Sequence, residues 1–183
     1  LADGSVRWLY GNAQPERERD GSTLWHGFFT DISERKQAEA ALRESEKRFH
    51  LLADNAPVLV WMSTLDKLCD WFNDVWLRFT GRSMAQELGN GWADGVHPND
   101  LKRCLDTYVR AFDAREEFQM EYRLRRFDGE YRWLLDNGVP RYDEQGNFLG
   151  YIGSCVDITD RKKAEEERNY LLAIIEDAQD FIA

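Results

Sequence analysis

Residues 116–157 read EEFQMEYRLRRFDGEYRWLLDNGVPRYDEQGNFLGYIGSCVD, and the fold follows from how this stretch divides. Phe118, Met120, Tyr122 and Leu124 alternate with Gln119, Glu121, Arg123 and Arg125, the period of two expected of a strand with one buried face. Asp128-Gly129 is a strong hairpin turn, and YRWLLDNGVPRY (131–142) returns beyond it. A second turn at Glu144-Gln145-Gly146-Asn147 leads into NFLGYIGSCVDI (147–158), the last strand of a meander. Upstream, Val58–Ser63 and Leu68–Asn73 read as two short strands joined through Leu65-Asp66-Lys67. Helical patches cover Asp74–Phe79, Ser83–Leu88 and, after Pro98, Asn99–Phe112. Strands, then short helices, then a meander predict an α+β domain. Its five-stranded antiparallel sheet carries the helices on one face.

The meander has an earlier copy. DGSVRWLYGNAQPERERDG (3–21) matches DGEYRWLLDNGVPRYDEQG (128–146) at eight of 19 positions, and GFFTDISERKQAE (27–39) matches GSCVDITDRKKAE (153–165) at seven of 13. An offset near 125 residues is the size of a whole domain rather than of a solenoid unit. The organisation expected is therefore the C-terminal part of one repeat (1–32), a linker helix (33–56), a complete repeat (57–159), a second linker helix (160–178) and the start of a third repeat (179–183). Ala38, Leu42, Ser45, Phe49, Leu52 and Ala56 recur at heptad spacing in a segment free of Pro and Gly. Such a helix either lies back on its own domain or pairs with a second copy as a coiled coil. The second linker repeats the pattern with Ala164, Leu171, Ile175 and Ala178.

Composition excludes several classes. Lys and Arg number 24 against 34 Asp and Glu, for a net charge of −10, which argues against a nucleic-acid partner. No apolar run approaches the roughly 20 residues of a membrane span. Cys69, Cys104 and Cys155 are widely spaced and odd in number, which points to no disulfide framework or zinc site and to a reducing, cytoplasmic setting. The chain begins with Leu1 and shows no signal peptide, as a piece of a larger protein would. There is no Gly-rich phosphate loop, no G-x-S-x-G and no spaced carboxylate pair, so no catalytic residue is assigned.

The order of elements, WFNDVWLRFTG (71–81), GWADGVHPND (91–100) and the ending DGEYRWLLDNG…GYIGSCVDITDRKKAE resemble a PAS domain with its C-terminal PAC motif, of the subclass with a His-Pro-x-Asp turn. The resemblance implies a sheet that cups a small-molecule pocket against the helices. It also implies a sensory or dimerisation module set in series with others, in sensor kinases or cyclic-di-GMP enzymes, and not a catalyst. His97 is then a turn residue ahead of Pro98 rather than a haem or metal ligand, and Cys104, lacking an Asn-Cys-Arg setting, a small core residue. No cofactor is assigned, with haem and non-covalent flavin the classes left open.

The pocket candidates are Trp61, Phe72, Asn73, Phe79, Trp92, Tyr108, Tyr122, Trp133, Asn137 and Ser154. They read either as a pocket wall with polar handles or as plain aromatic packing that fills the space. Asp157, Thr159 and Arg161 stand where the last strand passes into the second linker. Thr159 is placed to cap the helix and Asp157 to pair with Arg161 or Arg132. The resemblance makes this the coupling point between sensor and output. The partners expected are a second copy through the linker helices, neighbouring repeats and an output domain, with no membrane contact. A ligand-free spacer between repeats is the alternative function.

Overall fold

The computed structural model describes residues 6–180, with side-chain surroundings for 6–174. It divides at residue 51 into two units. The first holds strands β1 (Leu9–Arg17) and β2 (Thr23–Asp31), an antiparallel hairpin that leads into helix α1 (Ser33–Asn55). Every residue of the hairpin is exposed, including Trp8, Trp25, Phe28 and Phe29.

In the second unit β3 (Leu59–Ser63) and β4 (Cys69–Phe72) are followed by α2 (Asp74–Thr80), α3 (Met84–Glu87) and a 3₁₀ turn at Gly91–Gly95. Helix α4 (Pro98–Ala114), strands β5 (Phe118–Arg125), β6 (Tyr131–Tyr142) and β7 (Phe148–Asp157), and α5 (Thr159–Asp180) complete it. The sheet is antiparallel throughout, in the order β4-β3-β7-β6-β5. The expected α+β fold with its five-stranded sheet is the one observed. The 3₁₀ turn at Gly91–Gly95 lies outside the helical patches that the sequence predicts. Helix α5 continues two residues past the expected end at 178, and residues 181–183 of the expected third repeat lie outside the described residues.

One face of the sheet and the helices enclose the core. Helix α4 buries Cys104, Tyr108, Ala111 and Phe112, a stripe at i, i+4, i+7 and i+8 that marks an amphipathic helix. Its start is fixed chemically: the His97 Nδ1 accepts the Asn99 N–H at 3.2 Å, with Pro98 in the first turn. Asp100 accepts the Arg123 backbone N–H at 3.1 Å and takes its guanidinium at 2.8 and 3.1 Å, tying α4 to β5. The geometry thus supports the turn reading of His97.

The inner faces of β6 and β7 carry Gly138 and Gly153 as cross-strand neighbours. A Cβ on Gly138 would fall 2.2 Å from the Phe118 ring, and one on Gly153 2.2 Å from the Trp61 indole. The bare backbone is what lets both rings lie flat on the sheet, where they stack with centroids 6.2 Å apart.

Candidate functional site

Two places could carry function: the interior of the sheet and the point where β7 becomes α5. Of the ten expected pocket residues the structure brings five together. Trp61, Phe72, Trp92, Tyr108 and Tyr122 line an internal cavity, joined by Cys69, Trp76, Phe118, Met120 and Asp136, which sequence reasoning missed. The cavity holds about 20 Å³, room for one water-sized group. Edge-to-face contacts such as Trp61 with Tyr108 (5.7 Å) fill the rest. Haem or an isoalloxazine needs a cavity of several hundred Å³, far more than this arrangement of side chains leaves.

The other five sit elsewhere. Asn73 is buried but faces the chain rather than the cavity. Its Oδ1 accepts the N–H groups of Val60 (2.9 Å) and Trp76 (3.0 Å), and its Nδ2 donates to the carbonyls of Ala53 (2.7 Å) and Val58 (3.0 Å). It caps α2 and pins the entry to β3. Phe79 packs half-buried at the edge of the core, its carbonyl accepting the Phe127 N–H at 2.9 Å. Trp133, Asn137 and Ser154 are on the opposite face of the sheet. The pairing of Tyr122 with Leu134 turns Leu134, Asp136 and Gly138 inward, so the odd-numbered residues between them point out. There Asn137 accepts from Gln119 at 2.7 Å, opposite Ser154.

Asp136 is the polar feature of the interior. Its Oδ1 accepts the Trp61 indole N–H at 3.0 Å. Burial pushes its carboxyl up to about 6, against the downward pull of Trp61 and the Cys155 thiol. Burial likewise pushes the Cys104 thiol up to about 12. The Trp92 indole N–H, also buried, has no hydrogen-bond partner among the described residues.

At the junction, Asp157 Oδ1 accepts the Thr159 N–H at 2.9 Å and its Oδ2 the Arg132 Nε–H at 3.0 Å. Burial works against the Asp157 charge, but the bonds from Thr159 and Arg132 outweigh it and hold the carboxyl below the usual range. The Thr159 hydroxyl is bonded to β6. It accepts the Trp133 N–H at 2.8 Å, and the Ile158 N–H returns to the Trp133 carbonyl at 2.8 Å. Asp157 chooses Arg132 over Arg161 because Arg132 sits on β6, beside the end of β7. Arg161 pairs instead with Glu121 of β5 at 2.9 Å, as does Lys162 at 2.5 Å. Lys162 also lies 5.3 Å from the Trp133 ring centroid, and the Arg123 guanidinium 5.1 Å from it. Glu121, legible only as a polar residue of a strand, is thus the anchor of the first turn of α5.

The first unit contains the same junction. Arg7 bonds Asp31 at 3.0 Å, Asp31 accepts the Ser33 N–H at 2.8 Å, the Trp8 N–H reaches Ser33 Oγ at 2.8 Å and the Ile32 N–H the Trp8 carbonyl at 2.8 Å. Every partner is the counterpart, 125 or 126 residues earlier, of one at 132–159.

Among the described residues no cluster of His, Cys, Asp or Glu is placed to hold a metal ion, and no helix is long and apolar enough to cross a membrane.

An antiparallel five-stranded sheet cupped over short helices, closed by a strand that runs into a helix, defines a class of α+β domain. Residues 71–155 match the family model of the PAS fold, and the chain carries a PAS domain. It is 42% identical over 168 residues to protein y4lL of Sinorhizobium fredii, an alignment that takes in 91% of this chain and 20% of that one. It is 31% identical over 183 residues to the peroxide stress-activated histidine kinase mak1 of Schizosaccharomyces pombe, covering 90% and 11%. A sensory box histidine kinase/response regulator of Burkholderia thailandensis superposes with a TM-score of 0.54 at 21% identity, over 70% of this chain and 98% of that structure. The chain spans a fifth or less of the length of these two curated relatives.

Proposed function

We propose that residues 57–159 transmit a signal within a multidomain sensor, a sensor histidine kinase or a cyclic-di-GMP enzyme, by moving α5 through the β7 junction. The observation that carries this reading is the duplicated junction: the same carboxylate, arginine, tryptophan and hydroxyl contacts recur at 7–33 and 132–159. Residues 1–32 are accordingly the end of a preceding PAS repeat, and the two long helices join successive repeats in the cytoplasm. They pair with a second copy of the chain, which covers their exposed Leu42, Leu52, Leu171 and Leu172. Relatives named as sensors and histidine kinases support the signalling class.

The near-filled interior favours a trigger other than a large bound cofactor: a small ligand, a partner or a neighbouring repeat. It also keeps a second reading in play, a ligand-free spacer that only sets distance and pairing. Substituting Asp157→Ala in the full-length parent separates the two. A relay loses its stimulus-dependent output while the domain stays folded by circular dichroism. Unchanged output removes the relay and leaves the spacer.

A further inference from the structure

Asp136 stands at the middle of β6 with 2% of its surface exposed. Its cross-strand neighbours are Met120 on β5 and Cys155 on β7. The titratable groups around it are Cys69 of β4, Cys104 of α4, Tyr122 of β5 and Cys155 of β7, with Tyr108 of α4 on the same cavity wall. Burial raises all of them, so all are neutral near neutral pH, and among the described residues no Lys, Arg or His acts on Asp136. An ionised carboxylate here has two neutral donors, the Trp61 indole and the Cys155 thiol, and no counter-charge. A buried charge so placed is relieved by taking up a proton. Asparagine would offer Trp61 the same acceptor, so packing alone gives no reason for an ionisable group. The adjoining cavity gives the carboxyl space to turn.

We infer that Asp136 is a proton-binding site whose occupancy sets the arrangement of β6 against β7 and, through them, of the junction at Asp157. The inference rests on the reading of that junction as the output. The path is short. Cys155 precedes Asp157 by two residues on β7, and Leu134, two residues before Asp136 on β6, is the cross-strand partner of Asp157. In the ionised state the carboxylate holds the Trp61 N–H and the thiol. Protonation takes one proton from bulk water and makes one new O–H bond. The carboxyl becomes a donor and a weaker acceptor, loosening Trp61 over Gly153. Because burial pushes this carboxyl up to about 6, the change falls within mildly acidic pH.

The test is an infrared titration of the intact chain from about pH 8 to about pH 4.5, following the carbonyl stretch of a protonated buried acid. Amide signals of residues 155–160 are recorded by NMR on the same samples. The acid band grows as pH falls through about 6 and the amide signals move with the same midpoint. Asp136→Asn removes the junction response and the acid band that moves with it, leaving only the band of Glu87, the other buried carboxyl that burial raises, and Trp61→Phe, which deletes a donor to the ionised form, shifts the midpoint upward. Absence of the acid band over this range overturns the proposal. So does a band that the junction signals fail to follow, or junction signals that titrate unchanged in Asp136→Asn. If no band forms while Asp157→Ala still uncouples the parent, the relay stands and the proton site alone falls.

Discussion

Asn73 shows how much a single polar side chain can organise. Four hydrogen bonds, from 2.7 to 3.0 Å, join the end of α1, the start of β3 and the first turn of α2 through one amide. Asn73→Ala leaves the Val60 and Trp76 N–H groups and two carbonyls without this partner, at about 1–3 kcal/mol for each one that stays buried and unsatisfied. We expect the variant to lose several kcal/mol in urea denaturation, well beyond the roughly 1 kcal/mol of an ordinary cap. Sequence reading put Asn73 in the pocket because an Asn among aromatics looks like a polar handle. The Asn-Asp start of the following helix was the signal for the cap. Glu121 and Asp136 escaped notice for a related reason: a lone carboxylate in a strand carries no local mark of what faces it.

At the scale of elements, β5 and β6 differ in how far their sequences can be read. Along β5, apolar and charged residues alternate without a break, so Phe118, Met120, Tyr122 and Leu124 could be placed inward, and all four are buried. In β6 the run Trp133-Leu134-Leu135 offers either phase, and tryptophan is the larger apolar group. The pairing with β5 decides instead, setting Leu134 behind Tyr122 and leaving Trp133 among Arg123 and Lys162 on the outer face. On β7 the inward glycine has a steric purpose that can be tested. Gly153→Ala places a methyl group 2.2 Å from the Trp61 ring, overpacking that costs about 1–3 kcal/mol. The variant is expected to melt lower and to show an altered tryptophan near-UV signal, while Gly146→Ala, at a turn glycine with nothing within 4 Å, leaves that signal unchanged.

For the molecule as a whole, opposing carboxylates shape the dependence of stability on pH. Asp100 is held below the usual range by its hydrogen bonds from Arg123, and Asp157 by those from Thr159 and Arg132, which outweigh burial. Their contributions are complete above the unfolded-state pKa of about 4 and fade as pH falls through their lower folded values. Asp136 acts in the other direction. Raised from 3.8 to about 6, it favours the folded state fully below about pH 4, and that advantage, at most about 3 kcal/mol, is gone above about pH 6. Urea melts across pH should therefore show stability declining between about pH 4 and pH 6 in the wild-type chain, with Asp136→Asn reducing that decline to the part contributed by Glu87, the other buried carboxyl that burial raises, and leaving the acid limb intact. A wild-type profile that stays level there would contradict the burial of an ionisable Asp136. The sequence by itself determined the antiparallel meander, the two long helices, the duplicated strand-to-helix segment and the turn at His97. Each is written in residues close along the chain, where period, turn chemistry and capping act locally. Only the tertiary structure decided which face Trp133 occupies, that Asp136 lies shut inside, and that the Thr159 hydroxyl accepts from β6. Those outcomes depend on the register between strands and on the helices laid over them, and no short stretch of sequence carries that information.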